Sequence, residues 1–197
     1  MHTQKRGIVV GLIGENPNDT NALRALLMQR YTFNAINLIK GQTGDRLVNP
    51  KAQRALAVEY DKKQPQLVIY IRDLDALASN KAQVRKRHEE FAAINNIVQG
   101  RGIFLLHVYQ FEALLLADIE VFNQQYKVSF PVKGDPTMVE KPKDKLMAAT
   151  DTPKAARKYH ENDSAELAGL LDYAKLVKNC AYFRAFDAEF AARIAKR

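Results

Sequence analysis

Apolar and polar positions along this chain fall into alternating blocks. Residues 7–13, Gly-Ile-Val-Val-Gly-Leu-Ile, form a short β-branched run that stops at Gly14, the pattern of a strand buried on both faces. Asn16-Pro17-Asn18-Asp19-Thr20 is a turn rich in helix N-cap residues. Leu23, Leu26, Leu27 and Arg30 then recur at helical spacing over 22–30. Strand, polar turn and helix in that order open a βαβ unit. Residues 31–39 read as a second strand, with a turn at 41–44. A helix is expected over 50–63, with Pro50 at its favoured first position. Residues 66–72, Gln-Leu-Val-Ile-Tyr-Ile-Arg, are the clearest strand and run directly into Asp73-Leu74-Asp75. Residues 81–98 form a long helix, with Val84, Phe91, Ile94 and Val98 along one face. Gly100-Arg101-Gly102 ends it, and 102–108 is a fourth strand that flows into a helix-forming segment at 110–118.

From 121 to 153 the chain reads as loop-rich, punctuated by Pro131, Gly134, Pro136, Pro142 and Pro153. The remainder is helical, with Phe183, Phe186, Phe190 and Ile194 spaced to pack on the core. Strands alternating with helices over the first two thirds predict an α/β fold. Its mostly parallel four-stranded sheet is flanked by helices. Residues 1–125 form the α/β core, and 126–197 a basic loop and helical extension packed on it.

Composition narrows the class. The chain has 197 residues, 47% hydrophobic and 26% charged, which suits an ordinary soluble globular protein. No apolar run approaches the roughly 18 residues a membrane helix needs. The apolar segment after residues 1–6 is too short for a signal peptide. The single cysteine, Cys180, has no internal disulfide partner, which agrees with a reducing cytoplasm. A cytoplasmic protein without a membrane partner is therefore expected. The formal net charge of +8 points to a polyanionic partner. Cations concentrate between Lys127 and Lys158 and in Lys81, Arg85, Lys86 and Arg87. Arg85, Lys86, Arg87, Lys141 and Lys145 are the expected contacts to nucleic-acid phosphates.

Carboxylates, by contrast, gather at strand ends, where open α/β sheets bind ligands. Glu15 follows the first strand, Asp73 and Asp75 the third, and Glu112 and Asp118 the fourth. Asp73 and Asp75 are two apart, so both can point the same way from an extended segment. Glu15 and Asp19 meet on one side if the helix begins near Asn16 or Pro17. Such a group repels itself and usually holds Mg²⁺ or Mn²⁺ with waters. Two such ions can clamp the attacking and leaving oxygens of a phosphodiester. Blander readings stand beside each residue. Asp-x-Asp after a strand is common, and Gly-Glu in a turn is often only solvated. Glu112 is also placed for a structural salt bridge, and Asp118 for a helix cap. The weight rests on Glu15, Asp73 and Asp75 together. His107, in an apolar strand, reads as a core histidine, and His88 as part of a solvated helix face. There is no zinc spacing and no Ser-His-Asp set. The Gly-Gln-Thr-Gly at 41–44 lacks the Lys-Ser/Thr of a P-loop.

The strand, Gly14-Glu15-Asn16-Pro17-Asn18-Asp19, the helix, and the later strand with Asp73-Leu74-Asp75 together resemble the topoisomerase–primase (Toprim) domain. Asn16 stands where that family carries Gly. Across nearly the whole chain, Phe111-Glu112-Ala113-Leu114-Leu115-Leu116-Ala117-Asp118 is similar to the Glu-Ala-Trp-Leu-Leu-Ala-Asp signature of a Toprim-like bacterial group, with Leu114 at the Trp. Pro142-Lys143, Leu146, Tyr159, Cys180-Ala181-Tyr182-Phe183 and Phe186 resemble its C-terminal pattern. That group includes the nuclease subunit of an ATPase-paired anti-phage defence system, and the overcoming-lysogenisation-defect nucleases share the module. The resemblance implies a Toprim-like fold in which Glu15, Asp73 and Asp75 bind metal and Asp19 is the second acid of the first motif. Glu112 completes or braces the site. Lys143, with Lys145 in reserve, meets the scissile phosphate; the plain alternative for Lys143 is a solvated loop lysine.

The function expected is a Mg²⁺- or Mn²⁺-dependent endonuclease acting on RNA, tRNA or DNA, with Glu15 as ligand or general base. The resemblance adds a role as a toxic effector of anti-phage defence. Restraint by a partner ATPase or by homodimerisation is expected of a toxic enzyme. The competing readings are a degenerate Toprim module that binds nucleic acid or an ATPase without cutting, and a flavodoxin-like or receiver-type domain. The basic charge and helical tail count against the latter. So does the lack of a phospho-acceptor Asp after the third strand paired with a Lys after a fifth.

Overall fold

The computed structural model describes residues 7–39 and 44–196. The opening segment 1–6 and most of the expected 41–44 turn lie outside the described residues. The elements run β1 (Val9–Ile13), α1 (Pro17–Leu27), β2 (Asn34–Asn37), a 3-10 turn (Gly44–Val48), α2 (Pro50–Lys63), β3 (Leu67–Asp73), α3 (Lys81–Ile97) and β4 (Gly102–His107). Beyond the sheet come α4 (Glu112–Ala117), α5 (Ile119–Tyr126), a 3-10 turn (Pro136–Met138), α6 (Pro142–Thr150), a 3-10 turn (Glu161–Asp163), α7 (Ser164–Leu170), α8 (Tyr173–Asn179) and α9 (Ala181–Ala195).

The sheet is wholly parallel, in the order β2-β1-β3-β4. From β1 the chain goes to one side for β2 and to the other for β3. The order therefore reverses between β1 and β3, and the crevice beyond their carboxyl ends is where such sheets place ligands. Both faces of the sheet are covered, as parallel sheets require. Alternate residues divide between the two covers. Val10, Leu12, Leu67, Ile69, Ile71, Ile103 and Leu105 join the larger core with α1 and the helices after β4. Ile13, Val68 and Tyr70 face the smaller core of α2 and α3, with Leu56, Tyr60, Ile94 and Val98. By the same alternation Arg72 falls on the α3 side, and Asp73 on the side of the later helices.

Two expectations need correcting. The second strand is four residues, not nine, because β1 is short and pairs β2 only from Val9↔Asn34 to Leu12↔Asn37. The stretch 121–153 holds α5 and α6 rather than mainly loop. Pro142 occupies the first position of α6, where the missing N–H is no loss, so that proline marks a helix start. Phe183, Phe186 and Phe190 of α9 are buried in the larger core, so the C-terminal helices share it with the sheet. Among the described residues no helix is long and apolar enough to cross a membrane.

Candidate functional site

Local chemistry sets the first strand end. A Cβ on Gly14 would lie 2.9 Å from Thr20 Cγ2, so glycine lets the start of α1 close against β1. Asn16 caps α1: its side chain accepts from the backbone N–H groups of Asn18 (2.7 Å) and Asp19 (3.2 Å). Asp19 returns the favour by accepting from Asn16 N (3.2 Å), completing a capping box. Asn16 is thus a structural cap, and part of the Asp19 carboxylate is committed to it.

The third strand end does not behave as its spacing suggests. Past Asp73 the backbone keeps to β4, with Leu74 N donating to His107 O and Asp75 N to Tyr109 O, both at 2.9 Å. Asp75 turns left-handed, at φ 56°, a conformation aspartate tolerates. Extended alternation therefore fails at this residue, and Asp73 and Asp75 part company. Asp73 lines a narrow cleft with Asn16, Asp19, Glu112, Lys143 and Glu161. Asp75 instead reaches Arg87 on α3, at 3.5 Å.

The cleft measures about 40 Å³, room for an ion and a few waters. Glu112 opens α4, is buried, and accepts from Tyr159 Oη at 2.8 Å. Lys143, in the first turn of α6, pairs with Glu161 at the cleft. Burial, and then the charges of Asp19, Glu15, Glu112 and Asp75, push the Asp73 carboxyl well above its usual range. Burial likewise lifts Asp19 to about 7, against its hydrogen bond from Asn16, and raises Glu112, against its bond from Tyr159. Burial works against the Lys143 ammonium, but Glu161, Glu112 and Asp73 more than offset it.

On the α3 side a second set of charges is paired. Arg72, buried in β3, meets Glu15 at 2.7 Å and Glu90 at 3.4 Å. Arg87, buried on α3, meets Glu90 at 3.1 Å as well as Asp75. Burial raises Glu15 above the usual carboxylate range, and Arg72 pulls it back only in part.

Several expected site residues take other places. Arg87 is not a surface cation: it lies on the apolar stripe of α3 and turns inward to carboxylates. Arg85 and Lys86 stay exposed on that helix, as do Lys141 and Lys145 around α6. Asp118 is not at the acidic cleft. It is buried where α4 meets α5, accepting from Lys175 Nζ (2.8 Å) and Asp172 N (2.9 Å), and its side chain caps no helix. His107 is buried 3.3 Å from Tyr182 Oη, and burial drops its pKa to about 3, while His88 is exposed against Phe104. Sequence reading missed Arg72, Glu90 and Glu161. A charge ending the most apolar strand was the signal for Arg72. Glu161 carries no such signal.

Among the described residues no three Asp, Glu, His or Cys side chains group to hold a metal ion. A preassembled cage of Glu15, Asp73 and Asp75 therefore does not fit. Mg²⁺, however, commonly binds through one or two carboxylates and keeps several waters. Asp73 suits that mode, since its Oδ1 is buried without a hydrogen-bond partner in a residue lining the cleft, with Asp19 and Glu112 beside it. The donor set fits a hydrated hard cation.

A family model described as "Domain of unknown function (DUF4276)" matches residues 14–190, and the chain belongs to that family. No curated protein and no solved structure matches the chain.

Proposed function

We propose that this DUF4276 member is a divalent-metal-dependent nuclease whose metal is held chiefly by Asp73 in the crevice between β1 and β3. The carrying observation is the buried, unpartnered Oδ1 of Asp73 among neighbouring carboxylates. A buried acceptor without a donor is rare and costly, and a cation would satisfy it. When bound, the ion supplies Lewis acidity and activates water. Asp73 would hold it, with the Asp19 and Glu112 carboxyls lining the same cleft. Lys143, at the mouth of the same cleft, meets the charge growing on the phosphoryl oxygens. Exposed Arg85, Lys86, Lys141 and Lys145 hold the flanking backbone. The +8 net charge supports a nucleic-acid substrate, and the Toprim resemblance of the strand-end acids supports cleavage. In the same proposal the enzyme is a toxic effector of anti-phage defence, held in check by a partner ATPase or a second copy.

One observation favours a second reading, a binding module without cleavage: Glu15 and Asp75, two of the three metal ligands that the Toprim resemblance implies, are tied to arginines. Incubation with total RNA and plasmid DNA, with and without Mg²⁺ or Mn²⁺, separates the two. The nuclease reading expects metal-dependent cleavage by wild type, its loss in Asp73→Asn and Glu15→Ala, and loss of cellular toxicity in Asp73→Asn. Full cleavage by Asp73→Asn sinks it. Binding of nucleic acid without cleavage by wild type selects the second reading.

A further inference from the structure

β4 is an edge strand, and its free edge is only partly used. Its odd-numbered residues bond to β3, from Val68 N donating to Arg101 O to Leu74 N donating to His107 O, both at 2.9 Å. The even-numbered residues therefore turn their N–H and C=O groups outward. Gly102 N donates to Asn95 Oδ1 of α3 at 2.8 Å, and Arg193 of α9 reaches Gly100 O at 3.0 Å, so the two helices close the start of that edge. Phe104 and Leu106 are left, and among the described residues nothing hydrogen-bonds their main chain.

These two residues line a pocket of about 470 Å³ between α3 and α9, a size usual for a small-ligand site. Aromatic rings line it from both helices. Phe91 of α3 stacks on Phe104 with centroids 4.9 Å and planes 8° apart, and Tyr182 and Phe186 come from α9. Two exposed side chains, His88 and Glu189, add polar groups. A free strand edge can recruit an extended peptide, but two residues offer only about 7 Å of it, too little for a strand and enough for one planar heterocycle. Charge decides the kind. Lys81 and Arg85 are exposed on the same helix as His88, and the pair Arg85 makes with Glu89 is long, at 3.8 Å, and solvated, so both can meet phosphates.

We propose that this pocket takes an unpaired base of a single-stranded nucleic acid, stacked on its rings and met at its edge by the free main chain of β4. This rests on the nucleic-acid reading above and names its substrate class, because a base paired in a duplex is out of reach of such a pocket. Leu74 and Val108 line the pocket while Asp73 and Gln110 line the metal cleft, so the two sites are neighbours at one end of the sheet. A strand with its base in the pocket lies across the cleft.

The experiment measures binding of the full chain by fluorescence anisotropy in EDTA, which keeps it apart from the metal site. The probes are a labelled oligothymidylate, an abasic strand of the same length and a duplex. Wild type should bind the oligothymidylate about 5–100-fold tighter than the abasic strand, the contribution of a stacked base. Ala185→Leu narrows the pocket from an exposed position of α9, and Phe91→Leu keeps bulk but removes a ring. Each should lose most of that preference and leave abasic and duplex binding unchanged, which general structural damage would not do. Lys81→Gln should weaken all three through a lost phosphate contact. If Phe91→Leu does not fold by circular dichroism, Ala185→Leu decides. A wild type that binds none of the probes overturns the nucleic-acid reading and this inference with it. Binding without preference for bases, or a preference that Ala185→Leu leaves intact, overturns the inference alone. So does a dimer in sedimentation that Ala185→Leu disperses, since the pocket would then belong to a second copy.

Discussion

Two sets of carboxylates lie on opposite sides of Asp73-Leu74-Asp75, and they manage charge in opposite ways. On the α3 side Glu15, Glu90 and Asp75 are interleaved with Arg72 and Arg87. On the other side Asp19, Asp73, Glu112 and Glu161 line a cleft in which Lys143 is the single cation among the described residues. The interleaved ladder is compensated within the fold. In the cleft, burial first and neighbouring carboxylates second favour the protonated form, so Asp19, Asp73 and Glu112 all rise above their ordinary pKa values. One structure can thus hold acids in two conditions, one balanced by arginine and one that a cation from solution would balance. The contrast follows from pleat alternation at the end of β3, which sends Arg72 to one face and Asp73 to the other.

Removing a charge should therefore have opposite consequences in the two sets. The largest effect is expected in the ladder. Arg72→Met leaves Glu15 and Glu90 without their shared guanidinium, and breaking a buried pair from one side typically costs about 3–5 kcal/mol. For a chain of this size that lowers Tm by about 6–20 °C, read by circular dichroism without added metal. In the cleft the sign reverses. Asp73→Asn removes a carboxyl that burial and neighbouring charges penalise, and should stabilise the metal-free protein near pH 7.5 by about 1–2 kcal/mol while abolishing cleavage. A metal-free Asp73→Asn protein less stable than wild type would break the comparison, because Asp73 would then be a compensated group like Glu15.

The pH dependence sharpens it further. A carboxyl whose folded pKa exceeds its unfolded value keeps its proton in the fold after the unfolded chain has lost it. Its contribution is complete below the unfolded value, is lost as pH rises through the folded one, and then levels off. Asp19 moves from 3.8 to about 7, so the loss runs from about pH 4 to 7, with Asp73 and Glu112 adding to it in the same direction. His107 opposes them. Its folded pKa of about 3 means stability is lost as pH falls from about 6.5 toward 3. Metal-free Tm should therefore drop between pH 6.5 and 7.5, where the last of the His107 titration offsets about half of the Asp19 contribution, by on the order of 1–2 °C. Asp19→Asn, which can still accept from Asn16 N, should flatten that drop, and Mn²⁺ should abolish it. An unchanged slope in Asp19→Asn would assign the titration to other groups.

How much of this was legible beforehand depends on whether local pattern or tertiary context decided the outcome. The four parallel strands and α2 follow from apolar periodicity and a proline at a helix start; α1 does open at Pro17, but Glu15 turns to Arg72 while Asp19 lines the cleft, so the two do not meet on one side as their spacing suggested. Asp75 was misread because residue spacing carries no sign of φ, and one left-handed residue redirects its side chain. Arg87 was misread as a surface cation although 84, 87, 91, 94 and 98 share helical spacing; its place in that stripe was the available signal. Charge alone suggested solvent, while the carboxylates that make an internal arginine tolerable are Glu90, one turn on along α3, and Asp75, just past β3. Glu161 comes to the cleft through the docking of a short 3-10 turn far along the chain, helped by the bond from Asn18 Nδ2 to Asn162 Oδ1 at 2.9 Å. Nothing in its own neighbourhood announces it.

The smallest stability effect belongs to the pair where the cleft meets solvent, and there binding is the sharper readout. Lys143 and Glu161 are 31% and 41% exposed, so their ion pair contributes at most about 1 kcal/mol, and Glu161→Gln or Lys143→Met should shift Tm by no more than about 4 °C. Their effects on nucleic acid should diverge. Glu161 draws the ammonium to itself and presents a carboxylate where a phosphate would approach, so Glu161→Gln should tighten binding of a labelled oligonucleotide in EDTA by a few-fold. Lys143→Met removes the cation and should weaken it by a similar factor. It should also lower the slope of log K against log salt by about one, the loss of one phosphate contact. Both follow only if Lys143 is the phosphate-facing cation of the cleft. Weaker binding in both variants would make the pair a structural clasp between α6 and the 3-10 turn, and the cleft would then need its phosphate contact from Lys141 or Lys145.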